Sequence, residues 1–154
     1  MTTKKQQKEH RADIYSKGNI YNVKWMHTDY LEYWLRDFTI RGSCLNVCSG
    51  MSMIGQVRVD IDPDTNRTMN GDLFKLLEYF SANQFDFVYI DPPFPFYTAG
   101  ENRFQWQFDA FKICKKALIT RRPKVSINLP SKYHDYIVAE DVRPSLTLLR
   151  IDYK

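Results

Sequence analysis

The chain lacks any apolar run approaching the ~18 residues a membrane-spanning helix needs, which excludes such a span. Its first residues, Met1 to Arg11, are polar and basic and do not read as a secretory signal. Cysteine is scarce. Cys44, Cys48 and Cys114 are an odd number without zinc-type spacing, which argues against a disulfide-stapled scaffold or a zinc site. They read as reduced core thiols of an intracellular, cytoplasmic protein. His10, His27 and His134 show no metal spacing either, so no metal is expected. Internal repeats are absent, and low complexity is confined to the N-terminal tail.

What is present suits one soluble domain. The chain has 154 residues, 44% hydrophobic and 26% charged, enough for a real core. Residues 1–11 read as a flexible basic tail and residues 12–154 as the domain. Ten Tyr, ten Phe and three Trp can fill a core or stack on bases. A net charge of +4 is compatible with a polyanionic partner.

The periodicity predicts a helix from Tyr30 to Phe38, capped by Thr28-Asp29, with Leu31, Trp34, Leu35 and Phe38 on one stripe. A first strand is expected over Cys44–Cys48 and a second from about Gln56. Between them lie only Gly50 to Gly55. Returning along a five-residue strand takes roughly 17 Å at about 3.3 Å per residue, and six extended residues reach about 20 Å. A parallel crossover is therefore feasible, but without a helix. Pro63 to Asn70 has no room for a normal helix either. A helix is predicted over Leu73–Phe80 and a strand over Phe85–Ile90. A helix over Phe104–Ile119 and a strand over Lys124–Leu129 follow. The chain should close with a hairpin of Tyr136–Ala139 and Leu146–Asp152.

The most informative motif follows the apolar run Phe85-Asp86-Phe87-Val88-Tyr89-Ile90. It is Asp91-Pro92-Pro93-Phe94. Two prolines end the hydrogen-bond ladder and stiffen the exit loop. An acid and a ring are thus presented at the carboxyl end of a strand, where open α/β sheets bind ligands. That pair suits a planar amine. Upstream, Leu45-Asn46-Val47-Cys48-Ser49-Gly50 reads as a strand entering a glycine loop, Val57-Arg58-Val59-Asp60-Ile61-Asp62-Pro63 as a strand ending in acids, and Asn70-Gly71-Asp72-Leu73 as an acidic turn.

In this order, over residues 43 to 97, the segments resemble S-adenosylmethionine-dependent amino-methyltransferases with an Asp-Pro-Pro-Phe motif, the DNA N6-adenine class above all. The resemblance implies a minimal Rossmann-like α/β fold with a mostly parallel sheet, a C-terminal antiparallel hairpin and shortened early crossovers. It implies S-adenosylmethionine as cofactor, with Cys48, Ser49, Gly50, Ser52, Gly55, Asp60, Ile61, Asp72, Leu73 and Asp91 lining its site. Asp60 or Asp62 would accept from the ribose hydroxyls, the first being favoured. Asp72 would accept from the adenine amino group, cap the following helix, or do both. Asp91, Pro92 and Phe94 would carry the chemistry, and Pro93, Phe94, Phe96 and Tyr97 would meet the substrate base. Trp106 is a further candidate for flanking that base. The basic stretch Lys112, Lys115, Lys116, Arg121, Arg122 and Lys124 could track phosphates or be a solvated face.

The implied partner is nucleic acid, DNA ahead of RNA. An RNA guanine-N2 or adenine-N6 enzyme and a non-catalytic nucleic-acid-binding subunit are the alternatives. Helixless crossovers should leave an apolar sheet face near Val47, Val57 and Val59. A second copy or a partner subunit would then cover it.

Overall fold

A computed structural model describes residues 29–92, 104–123, 127–140 and 146–154. Its elements in chain order are α1 (Asp29–Thr39), β1 (Cys44–Val47), β2 (Val57–Asp60) and β3 (Met69–Asn70). A 3-10 turn (Leu73–Lys75), α2 (Leu76–Tyr79), β4 (Phe85–Ile90) and α3 (Gln105–Ile113) follow, then β5 (Cys114–Arg121), β6 (Tyr133–Glu140) and β7 (Leu146–Tyr153). The seven strands form one sheet in the order β3-β2-β1-β4-β5-β7-β6. The first five strands run parallel, and β7 pairs antiparallel with both β5 and β6. This is the expected mostly parallel sheet with a terminal hairpin. None of the described helices is long and apolar enough to cross a membrane.

Strand alternation sends side chains to two separate cores. On one face Leu45, Val47, Val59, Val88, Ile90 and Leu118 meet α3 through Trp106, Ala110, Phe111 and Ile113. On the other, Phe87, Tyr89, Ala117, Ile119, Leu149 and Ile151 meet Leu31 and Leu35 of α1, with Trp34 and Phe38 packed alongside. The predicted α1 stripe is therefore the face that packs on the sheet.

The crossover from β1 to β2 is parallel and contains no helix. Its chain turns at Ser49–Ser52, where Ser52 N donates to Ser49 O at 2.9 Å, and rejoins the start of β1 where Gln56 N donates to Cys44 O at 3.1 Å. In place of a helix it supplies one apolar plug, Ile54, to the α1-side core. Asn46 Nδ2 donates to Ile54 O and Ser52 Oγ, each at 3.1 Å. Arg58 ties both short crossovers together, through Nε to Asn66 O at 2.8 Å and Nη1 to Gly55 O at 3.0 Å. Polar residues thus occupy this face of β1 and β2. Val47 and Val59 point to the α3 side and are fully buried there, and Val57 packs against that same core. These valines do not form the exposed apolar face expected of them.

Other elements differ from their expected bounds. The predicted helix over Leu73–Phe80 is a 3-10 turn followed by a single α-turn. The change of pitch rotates Leu77 out of its expected stripe, and it is exposed. The helix expected to reach Ile119 stops at Ile113, and Cys114 enters β5 with no intervening loop. The buried run Ala117-Leu118-Ile119 is apolar on both faces because the sheet there is covered on both sides. β5 therefore takes the place expected for a strand at Lys124–Leu129. Ile127–Leu129 is not a strand, and Ile127 O instead accepts from Arg150 Nη1 at 2.7 Å. Residues 124–126 and the turn at 141–145 lie outside the described residues, as does Thr28 of the expected cap, while Asp29 is the first residue of α1.

Candidate active site

Four strand ends meet at one edge of the sheet, linked by backbone hydrogen bonds. Asp91 N donates to Val47 O at 3.2 Å, Ser49 N to Val59 O at 3.1 Å, and Gly71 N to Asp60 O at 3.2 Å. This chain of contacts brings together Cys48, Asp60, Asp72 and Asp91 from four separate sequence segments. Gly71 is required by close approach. A Cβ there would lie 2.6 Å from Val59 Cγ1 and 3.2 Å from Tyr79 Cε2.

Cys48 records the electrostatics of the site. Its thiol pKa is pushed well above the ordinary value, first by burial and then by the charges of Asp60, Asp91 and Asp72. It remains a neutral thiol, unsuited to nucleophilic attack. Cys48 also holds a left-handed backbone, φ 55°, followed by Gly50 at φ 51°.

Each acid already has partners within the chain. Asp60 is buried, accepting from Gly50 N at Oδ2 and from Asp62 N at Oδ1, both at 2.9 Å. An ionised carboxylate has about four acceptor sites, so these two bonds leave it capacity for hydroxyl donors. Asp62 caps the following turn by accepting from Asp64 N at 2.9 Å. Asp72 caps the 3-10 turn through Phe74 N at 2.9 Å and is half-buried. Ile61, 70% exposed, directly follows Asp60. Leu73 is buried in the α3-side core.

Ser49 is buried beside Gly50, and its Oγ has no hydrogen-bond partner among the described residues. An orphaned hydroxyl at a glycine turn is the kind of group a ligand would satisfy. Ser52 differs. Its Oγ accepts from Asn46 Nδ2 and Ile54 N, each at 3.1 Å, and so braces the crossover. Gly55 does not join the cluster. A Cβ there would meet Cys44 O at 2.9 Å, so it lies at the amino end of β1. At about 3.3 Å per residue, that is a strand length away from Ser49. Its φ of +89° marks the turn into β2.

Asp91 is held in a way its motif does not foretell. Only 1% exposed, it pairs through Oδ2 with Arg121 Nη1 at 2.7 Å and through Oδ1 with Arg122 Nη2 at 2.9 Å. Arg121 is itself 4% exposed, and its Nε contacts Thr147 Oγ1 at 3.4 Å. Reading the basic stretch as one patch misses this pair. β5 runs through the stretch, leaving Lys112, Lys115 and Lys116 near its amino end and the arginines at its carboxyl end. A signal was present: an arginine that a mostly apolar strand carries into the core needs an acid partner there.

Pro92 is buried, while Pro93, Phe94, Phe96 and Tyr97 lie outside the described residues. Trp106, a candidate for flanking a base, is instead fully buried in the α3-side core.

No protein-family model matches the chain, and no curated protein does. Among solved structures it is similar to "Putative methyltransferase yhhF from Escherichia coli", at 12% identity and a TM-score of 0.52. The match covers 82% of this chain and 86% of that one. The likeness is one of fold: this chain shares the mostly parallel, Rossmann-like α/β architecture of that protein.

Proposed function

We propose that the chain transfers a methyl group from S-adenosylmethionine to an exocyclic amine of a nucleobase, adenine N6 in DNA being the leading target. The observation that carries this reading is the convergence of Asp60, Asp72 and Asp91 around Cys48 at adjacent strand ends. The residues present fit the cofactor. It is a cation at sulfur and at its amino group, and Asp60 and Asp72 bring carboxylates to the cluster that, among the described residues, carry no arginine like the pair on Asp91. Ser49 and Gly50 would face its methionyl part, Asp60 its ribose hydroxyls, and Asp72 its adenine amine. When bound, it supplies an activated methyl group.

The chain's own residues then need only orient the amine and polarise it. An exocyclic amine is a weak nucleophile because its lone pair is delocalised into the ring. Asp91 carboxylate and Pro92 carbonyl, accepting its two N–H bonds, would draw the nitrogen toward tetrahedral geometry. Phe94 would stack on the base and fix its plane. An RNA base amine would be served by the same arrangement.

Calorimetric titration with S-adenosylmethionine, followed by labelled methyl transfer to DNA and RNA pools, tests the proposal. Binding plus label on a base amine supports it. Binding without transfer to either pool overturns the catalytic part. A second reading, a non-catalytic nucleic-acid-binding subunit, is favoured by the two ion pairs on Asp91 and predicts that second result.

A further inference from the structure

We infer that the two arginines on Asp91 have different tasks. Arg121 is a fixed positioning residue. Arg122 is an exchangeable clasp, which passes from Asp91 to a phosphate of the nucleic-acid substrate and uncovers the carboxylate only when substrate is present. This rests on the methyltransferase reading of Asp91 given above.

Burial separates the pair. Arg121 is 4% exposed, whereas Arg122 is 33% exposed and caps a carboxylate that is 1% exposed. Each Asp91 oxygen already holds one guanidinium contact and the carboxylate is only 1% exposed, so movement of the more exposed Arg122 is the way to open it to an incoming amine. Of the two partners of Asp91, Arg122 is the more solvent-screened and so the more readily exchanged. A guanidinium fork fits phosphate as well as carboxylate. The exchange conserves pairing: Asp91 keeps Arg121 and gains the amine, while Arg122 gains the phosphate. No buried charge is stranded.

The backbone marks the same place. Arg122 has φ 50° and precedes Pro123, and its N donates to Leu148 O at 2.8 Å. Cys48, at φ 55°, holds the same unfavourable conformation at the end of β1. Two left-handed side-chain-bearing residues thus flank the end of β4, and such backbone strain clusters at functional sites.

The test compares wild type, Arg122→Gln and Arg122→Lys. Binding of a single-stranded, adenine-containing DNA oligonucleotide is followed by fluorescence anisotropy across salt concentrations. Methyl transfer to that oligonucleotide and to free deoxyadenosine is measured alongside. Arg122→Gln should reduce the slope of log affinity against log salt by about 0.7, one phosphate contact on a single strand. It should lower the oligonucleotide-to-nucleoside ratio of kcat/KM at least about tenfold, the scale of one charged hydrogen bond. Arg122→Lys keeps the charge and should restore the slope. An unchanged slope overturns the clasp, as does an equal loss on both substrates. If wild type binds the oligonucleotide but transfers no methyl group, the proposed function fails, and the salt slope still decides whether Arg122 meets phosphate.

Discussion

Replacing Asp91 by alanine removes a carboxylate from beside a guanidinium that is only 4% exposed. Breaking a buried pair from one side typically costs about 3–5 kcal/mol, because a charge is left in a poor solvent. The Arg122 pair adds at most about 1 kcal/mol, since that side chain is 33% exposed and solvent screens it. Domains of this size are stable by about 5–15 kcal/mol, so the variant should fold marginally. Each kcal/mol lowers the melting temperature by about 2–4 °C, so a total loss of about 3–6 kcal/mol gives a drop of roughly 6–24 °C. Asp91→Leu combined with Arg121→Met removes both buried charges and should recover most of that loss, since apolar replacement of a buried pair is often neutral or better. It should nevertheless transfer no methyl group. Thermal unfolding by circular dichroism reads all three chains. A single Asp91→Ala variant melting within about 2 °C of wild type would refute the reasoning, since the ion pair would then carry no folding energy. Loss of activity in that variant alone says nothing about chemistry. Only the refolded double variant separates the two roles.

Further predictions concern the framework. Gly71→Ala places a methyl group 2.6 Å from Val59 Cγ1 and should destabilise by about 1–3 kcal/mol in denaturant unfolding; an unchanged midpoint would mean that β3 yields freely. Asp86 accepts from Ser43 N at 3.0 Å and pairs with Lys116 at 3.4 Å, and these contacts hold its pKa below the ordinary value, the Ser43 backbone bond first. Its contribution is therefore present above the unfolded carboxylate range and is lost as pH falls through the depressed folded value. Stability of wild type over Asp86→Asn should narrow across that acid window, and a constant difference would contradict it. Burial pushes the Cys44 and Cys114 thiols up to about 12. Native protein at pH 8 should react slowly with a thiol reagent at both residues and rapidly once unfolded.

Much of the architecture was legible in the sequence. Counting the residues between Gly50 and Gly55 was enough to foresee a parallel crossover without a helix. The apolar run before Asp91 fixed β4, and the stripe Leu31, Trp34, Leu35, Phe38 fixed the packed face of α1. The junction of α3 and β5 was not legible, because a short apolar run such as Ala117-Leu118-Ile119 has no period that separates helix from strand. Gly55 was taken into the site because a glycine signals close approach without saying to what. The Arg121 and Arg122 clamp lies thirty residues from Asp91 and is created by the pairing of β4 with β5. An arginine at the end of an apolar run signals the need for an acid, but nothing local identifies Asp91 as that acid.

The central claim is that acids at the strand ends hold S-adenosylmethionine. Isothermal titration of wild type and Asp60→Ala with this cofactor tests it most directly. Wild type should bind one equivalent, and the melting temperature should rise with ligand concentration as mass action requires. Asp60→Ala should remain folded and lose most of both effects. Absence of binding by wild type, or equal affinity in the two chains, would contradict the account.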